Sequence, residues 1–139
     1  MRAAGTASAG TSGRQQVDAV STTLPADSAS AGAARRFVTS TLACWHADQL
    51  IEAAELLTSE LVTNAVLHAG SAVQLRLAPT VDGIRCEVFD CGPGSPRMRC
   101  AAPEDLNGRG LQLVDLMSQA WGVALAPGGK TVWFELTAE

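Results

Sequence analysis

Apolar and polar positions along the chain follow two rhythms. Leu50, Ala54, Leu57, Leu61 and Val62 recur at helical spacing, which predicts a helix over about 49–67. Gly70 is placed to end it, and Asp48 stands where an N-cap is expected. Val73, Leu75 and Leu77 then alternate with Gln74 and Arg76, the period of a strand. Asp82-Gly83 signals a hairpin turn. Ile84, Cys86 and Val88 alternate with Arg85, Glu87 and Phe89 in the partner strand.

The flanking segments extend the pattern. Val17 to Leu24 reads as a first strand, followed by a helix from about Ala29 to Cys44. A third helix is expected from about Gly110 to Ala120. A last hairpin, 122–126 with 131–137, turns around Pro127-Gly-Gly129. The order is strand, two helices, two strands, helix, two strands. It predicts an α+β, two-layer fold with a mostly antiparallel sheet. Residues 1–16 are rich in Ala, Gly, Ser and Thr and are expected to form a disordered tail. Residues 17–139 are then a single domain.

Composition narrows the partners. With 139 residues, 47% of them hydrophobic, the chain has enough material for one core. The net charge of −4 disfavours duplex nucleic acid or an anionic membrane as the main partner. No apolar run is long enough to span a bilayer, and the start lacks an apolar signal core. The expected location is therefore cytoplasmic, with reduced thiols. The four cysteines form no C-x-x-C pair, and with two histidines they argue against a zinc site.

Three short motifs carry the candidate chemistry. Glu60 and Asn64 lie four apart, on one face of the second helix. The Asn amide oxygen suits Mg²⁺, and a carboxylate one turn away could accept a proton. Taken alone, the pair reads more simply as a solvated helix flank, like Glu52 and Glu55. Asp90 continues the inward series 84, 86, 88, so it is a carboxylate facing the core at a strand end. A base amine could donate to it, as could the backbone of the turn into Gly92. Gly92 and Gly94 permit close backbone approach. Gly108 and Gly110 stand where the third helix begins, and a helix N-terminus favours phosphate. Arg109 lies between them, and Arg97 and Arg99 precede it in the loop.

Two other nucleotide motifs are excluded. G-x-G-x-x-G fails because Arg97 and Leu113 occupy the third-glycine positions. The P-loop-like Gly128-Gly129-Lys130-Thr131 precedes an alternating, strand-like run, whereas a P-loop must open a helix.

Glu60-Leu-Val-Thr-Asn64, Asp90-Cys-Gly92-Pro-Gly94 and Gly108-Arg109-Gly110-Leu-Gln-Leu-Val, in this order, resemble the N box and glycine boxes of the GHKL superfamily of ATP-binding domains. The small size resembles the bacterial anti-sigma factor serine/threonine kinases. The resemblance implies a Bergerat-type fold with helices on one sheet face, and ATP with Mg²⁺ between helix and lid. It implies Asn64 on Mg²⁺, Glu60 as general base, Asp90 at adenine N6, Gly92 and Gly94 beside the base, and Gly108, Arg109 and Gly110 at the phosphates. It implies a STAS-type anti-anti-sigma protein as phosphoryl acceptor and is compatible with sigma-factor binding and homodimerisation. A non-catalytic, ATP-dependent protein-binding module is the alternative. The family often carries Thr after the glycine of the last hairpin, near adenine; here Lys130 follows Gly129 and Thr131 comes next.

Overall fold

The computed structural model describes residues 18–91 and 109–138, with side chains from 112 onward in the second stretch. Five strands form one sheet in the order β1-β2-β3-β5-β4, and every described ladder is antiparallel. The strands are β1 (Val20–Leu24), β2 (Val73–Pro79), β3 (Gly83–Asp90), β4 (Ala120–Ala126) and β5 (Gly129–Thr137). Among the described residues, three α-helices accompany the sheet: α1 (Ser30–Cys44), α2 (Ile51–Ala69) and α3 (Arg109–Met117). This is the two-layer α+β architecture expected from the element order.

Packing follows from the periodicity. Helix α1 buries Ser30, Ala34, Val38 and Leu42, one residue per turn. Helix α2 buries Ala54, Leu57, Thr58, Leu61, Val62, Ala65 and Ala69. Opposite them lie Val73, Leu75 and Leu77 of β2, Ile84, Cys86 and Val88 of β3, and Phe134 and Leu136 of β5. Each fully buried Leu, Ile or Phe among these contributes about 1.5–3 kcal/mol of transfer free energy. Thr58 Oγ1 and Cys86 Sγ meet at 3.5 Å, fixing the middle of α2 against the middle of β3.

The opposite sheet face is polar. Arg85 bonds Glu87 at 2.9 Å and Glu135 at 3.0 Å, and it lies over the Trp133 ring at 4.0 Å. Burial works against the Arg85 charge, but the two carboxylates outweigh it and raise its pKa. Gly122 belongs to this arrangement, since a Cβ there would come within 2.9 Å of the Trp133 ring.

Several boundaries differ from the sequence reading. Strand β1 begins at Val20 within the described residues, and the expected tail over 1–16 lies outside them. Asp48 does not cap α2 with its side chain. A single 3₁₀ turn, Asp48–Leu50, leads into the helix with Asp48 in its first turn. Helix α2 continues to Ala69, because Gly70 takes the left-handed conformation only there, at φ 68°. Helix α3 stops at Met117 rather than near Ala120. The Ser118 backbone N–H and hydroxyl both turn back to the Val114 carbonyl, closing the helix.

Candidate functional site

Asp90 is the last residue of β3 and is 4% exposed, on the helix side of the sheet as its place in the alternation requires. The sheet places Val73 on one side of it and Lys130 on the other. Lys130 Nζ donates to Asp90 Oδ2 at 2.8 Å, with the two side chains only 15% and 6% exposed. This ion pair is the contact that sequence reading missed. The signal available was Lys130 standing where the family often has Thr. Its partner lies 40 residues away and emerges only from the β3–β5 register.

Chain connection brings Asn64 to the same end of the fold. Only residues 70–72 separate the end of α2 from Val73, the register partner of Asp90. Asn64 lies five residues before the end of α2, about 8 Å along the helix axis. Its Nδ2 is buried and has no hydrogen-bond partner. A buried amide without a partner is costly and calls for a ligand. As placed, the N–H group suits an anion oxygen. Turned about its terminal bond, the same amide presents an oxygen to a hard cation. The side chain therefore fits both phosphate and Mg²⁺. Glu60 sits one turn earlier and is half-buried, and His68 one turn later is also half-buried.

Helix α3 packs on α2 and β4. Its end connects through 118–119 to Ala120, which pairs with Glu135 and, across β5, with the row of Arg85. Arg85 lies five residues from Asp90 along β3, about 17 Å away at strand rise. The nine residues of α3 span about 13 Å. Arg109 and Gly110 open this helix in backbone terms. Gly92, Gly94 and Gly108 lie outside the described residues, as do Arg97 and Arg99.

Other chemistry is sparse. Among the described residues no group of three or more His, Cys, Asp and Glu could hold a metal ion. Cys44, Cys86 and Cys91 are free thiols, Cys86 buried in the core as a small apolar side chain. No helix among the described residues is long and apolar enough to cross a membrane.

Comparison with known proteins agrees with this geometry. No curated protein matches the chain in sequence. Among solved structures, the RsbU and RsbW domains of Rv1364c from Mycobacterium tuberculosis superpose with a TM-score of 0.67 at 22% identity. The match covers 89% of this chain and 33% of that one, so the chain spans about a third of that protein's length. At this identity the similarity establishes the fold. Residues 24–136 match the family model of the histidine kinase-like ATPase domain, nearly the whole described unit. With Glu60, Asn64 and Asp90 inside that stretch, the chain belongs to the histidine kinase-like ATPase domain family.

Proposed function

We infer that the chain binds ATP with Mg²⁺ and transfers the γ-phosphoryl group to a serine or threonine hydroxyl of a STAS-type antagonist protein. The observation that carries the reading is the buried, unpartnered amide nitrogen of Asn64, Nδ2, at the end of the fold that holds Asp90. The fold shared with an RsbW-containing protein supports a partner-switching role.

Each residue then has a task. Mg²⁺, when bound, supplies charge neutralisation at the phosphate oxygens. Asn64 holds it through the amide oxygen. Asp90 accepts an N–H from the base. Backbone N–H groups at the start of α3, with Gly108 and Gly110, receive phosphate oxygens, and Arg109 adds positive charge beside them. Gly92 and Gly94 leave space beside the base. The acceptor hydroxyl oxygen bonds to the γ-phosphorus while the bond to the ADP oxygen breaks, and the hydroxyl proton goes to Glu60. A sigma factor or second copy of the chain docks beside the site.

The test is transfer of labelled phosphate from ATP to a candidate STAS-type protein. Glu60→Ala should lower the transfer rate by about 10²–10⁴-fold, the usual contribution of a general base, and still bind ATP. Full transfer by this variant sinks the base assignment. Partner capture that depends on ATP, with no label on any protein, favours the non-catalytic module instead.

A further inference from the structure

We propose that the outer edge of β4 is a self-pairing surface, on which a second copy of this chain lays its own β4 antiparallel across a two-fold axis at Val123. The inference goes beyond the nucleotide reading, and its test needs no nucleotide.

In the sheet order β4 is an edge strand, and no described strand lies beyond it. Soluble domains commonly blunt such edges with charged residues, proline or a short strand. The other edge, β1, is only five residues long, with Ser21, Thr22 and Thr23 at its centre. Strand β4 runs for seven residues, Ala-Trp-Gly-Val-Ala-Leu-Ala, without a charge or a proline. Its second half is open to solvent, with Val123 at 44% and Leu125 at 58% exposure.

The hairpin fixes which backbone groups are free. Pro127 and Gly128 are the two-residue loop between Ala126 and Gly129, and such a loop closes on a hydrogen-bonded pair. Alternation then turns the N–H and C=O groups of Ala120, Gly122, Ala124 and Ala126 toward β5 and those of Trp121, Val123 and Leu125 outward. A second β4 with Val123 opposite Val123 brings Trp121 opposite Leu125. Three residues with one N–H and one C=O each give six outward groups per copy, and all of them pair, in six hydrogen bonds. The result joins two five-stranded sheets into one of ten strands.

Side chains agree with this register. Trp121, Val123 and Leu125 lie on the helix side of the sheet, as do their partners Phe134, Val132 and Lys130. Their cross-strand contacts are therefore Trp with Leu and Val with Val, pairs that stabilise a sheet. On the other face Gly122 meets Ala124 and Ala120 meets Ala126, so no bulk collides. A charged strand from another protein would leave its charges uncompensated against this apolar strip; a second β4 brings none. Leu116 and Met117, exposed by 78% and 37%, stand just before β4 at its Ala120 end and extend the strip. Leu125 and Ala126 of the second copy arrive at that end.

The size of the strip sets the strength. Seven residues make an edge about 24 Å long, and at a sheet thickness of about 10 Å it covers roughly 240 Å² per copy. Even with Leu116 and Met117 this is less than the roughly 800 Å² per partner of a stable complex. The dimer is therefore concentration-dependent, with a dissociation constant between about 1 µM and 1 mM.

Sedimentation equilibrium of the full chain, from about 10 µM to about 1 mM, tests the proposal. Wild type should pass from monomer toward dimer over this range. Val123→Lys sets two ammonium groups opposite each other and should raise the dissociation constant at least about tenfold. Disulfide trapping tests the register, in a background with Cys44, Cys91 and Cys100 changed to serine. Val123→Cys should cross-link to its symmetry mate under mild oxidation, since hydrogen-bonded partners stand about 5.5 Å apart at Cα, within disulfide reach. Leu125→Cys should cross-link at least about tenfold more slowly, because its mate lies four residues along the strand, about 14 Å away. A wild type that stays monomeric to about 1 mM overturns the proposal, whether or not a strand of another protein occupies the edge. A dimer that Val123→Lys leaves intact also overturns it, by placing the interface elsewhere. Equal trapping at the two positions overturns the register. Should Val123→Lys not fold, wild-type sedimentation and the trapping pair decide alone.

Discussion

Gly129 lies against the backbone carbonyl of Asp90 so closely that a Cβ on it would sit 2.0 Å from that oxygen. The contact belongs to the β3–β5 ladder and fixes how tightly the two strands approach where Asp90 faces Lys130. Real Cβ atoms do not come this near to oxygen, and the obstacle is backbone, which cannot rotate away. Gly129→Ala should therefore push the strands apart, costing about 1–3 kcal/mol as other overpacking changes do, and should loosen the Asp90–Lys130 pair. Gly128→Ala is the control, since nothing lies within 4 Å of a Cβ there. Urea unfolding of both variants decides the matter. Equal stability of the two would show that β5 shifts without cost.

Two helix ends test backbone strain separately from packing. Helix α1 ends with the Ala47 N–H reaching back to the Leu42 carbonyl at 2.8 Å and the His46 N–H to Ala43 at 3.1 Å. His46 between them has φ 59°, the left-handed region that a side chain disfavours. His46→Gly should stabilise the domain by about 1 kcal/mol. Gly70 takes the same conformation at the end of α2, and a Cβ built on it would meet nothing within 4 Å beyond its chain neighbours. Gly70→Ala should destabilise by about 1 kcal/mol through the same local backbone strain, with no clash against other residues. Opposite signs in thermal melts are the expected result; a loss of stability in His46→Gly would contradict it.

The core side of the fold was legible because it depends on local periodicity. The two-residue rhythm through Ile84, Cys86 and Val88 places Asp90 inward, and the residue is buried. The helical spacing through Leu57 and Leu61 locates the face of α2 that meets the sheet. Helix ends were less legible. Asp48 has the chemistry of an N-cap, yet the chain enters α2 through a 3₁₀ turn instead. Helix α3 stops early because Ser118 turns back to Val114 and because Trp121 reaches Asp115 across the turn at 2.9 Å. The Lys130–Asp90 pair could not be read locally at all, because it requires the register between strands 40 residues apart. The glycine motifs were visible by spacing, but Gly92, Gly94 and Gly108 fall outside the described residues.

Cys86 gives the fold a distinct response to alkali. Its thiol is fully buried, and burial pushes its pKa up to about 12; the Thr58 hydroxyl works the other way, and the charge of Glu87 raises it further. A thiol that resists ionisation when folded but ionises readily when unfolded binds more protons in the native state. Stability from this source is complete below the ordinary thiol range and falls as pH rises from about 9 toward 12. Each pH unit in that window removes up to about 1.4 kcal/mol. Denaturant unfolding at several pH values should show a shallower alkaline decline for Cys86→Ala than for the wild type. Parallel declines would mean that Cys86 is not sealed from water.

Asn64 separates stability from ligand binding. Its buried, unpartnered Nδ2 is a cost to the ligand-free protein, since an unsatisfied donor of this kind destabilises by about 1–3 kcal/mol. Asn64→Leu removes the donor at similar volume. The ligand-free variant should therefore melt at or above the wild-type temperature. The same change deletes the amide that would meet Mg²⁺ or phosphate. Wild type at 100 times the ATP dissociation constant gains about 2.7 kcal/mol from binding, and the variant should lose most of that gain. Leu61→Ala, in the adjoining core at 4% exposure, should do the reverse. It should cost about 2–5 kcal/mol in the ligand-free protein and keep the nucleotide-dependent shift. Thermal melts of the three proteins with and without Mg²⁺ and ATP give the comparison. A wild-type shift in Asn64→Leu would remove this side chain from the binding site, and an unfolded variant would show that its amide has a structural role in the ligand-free protein.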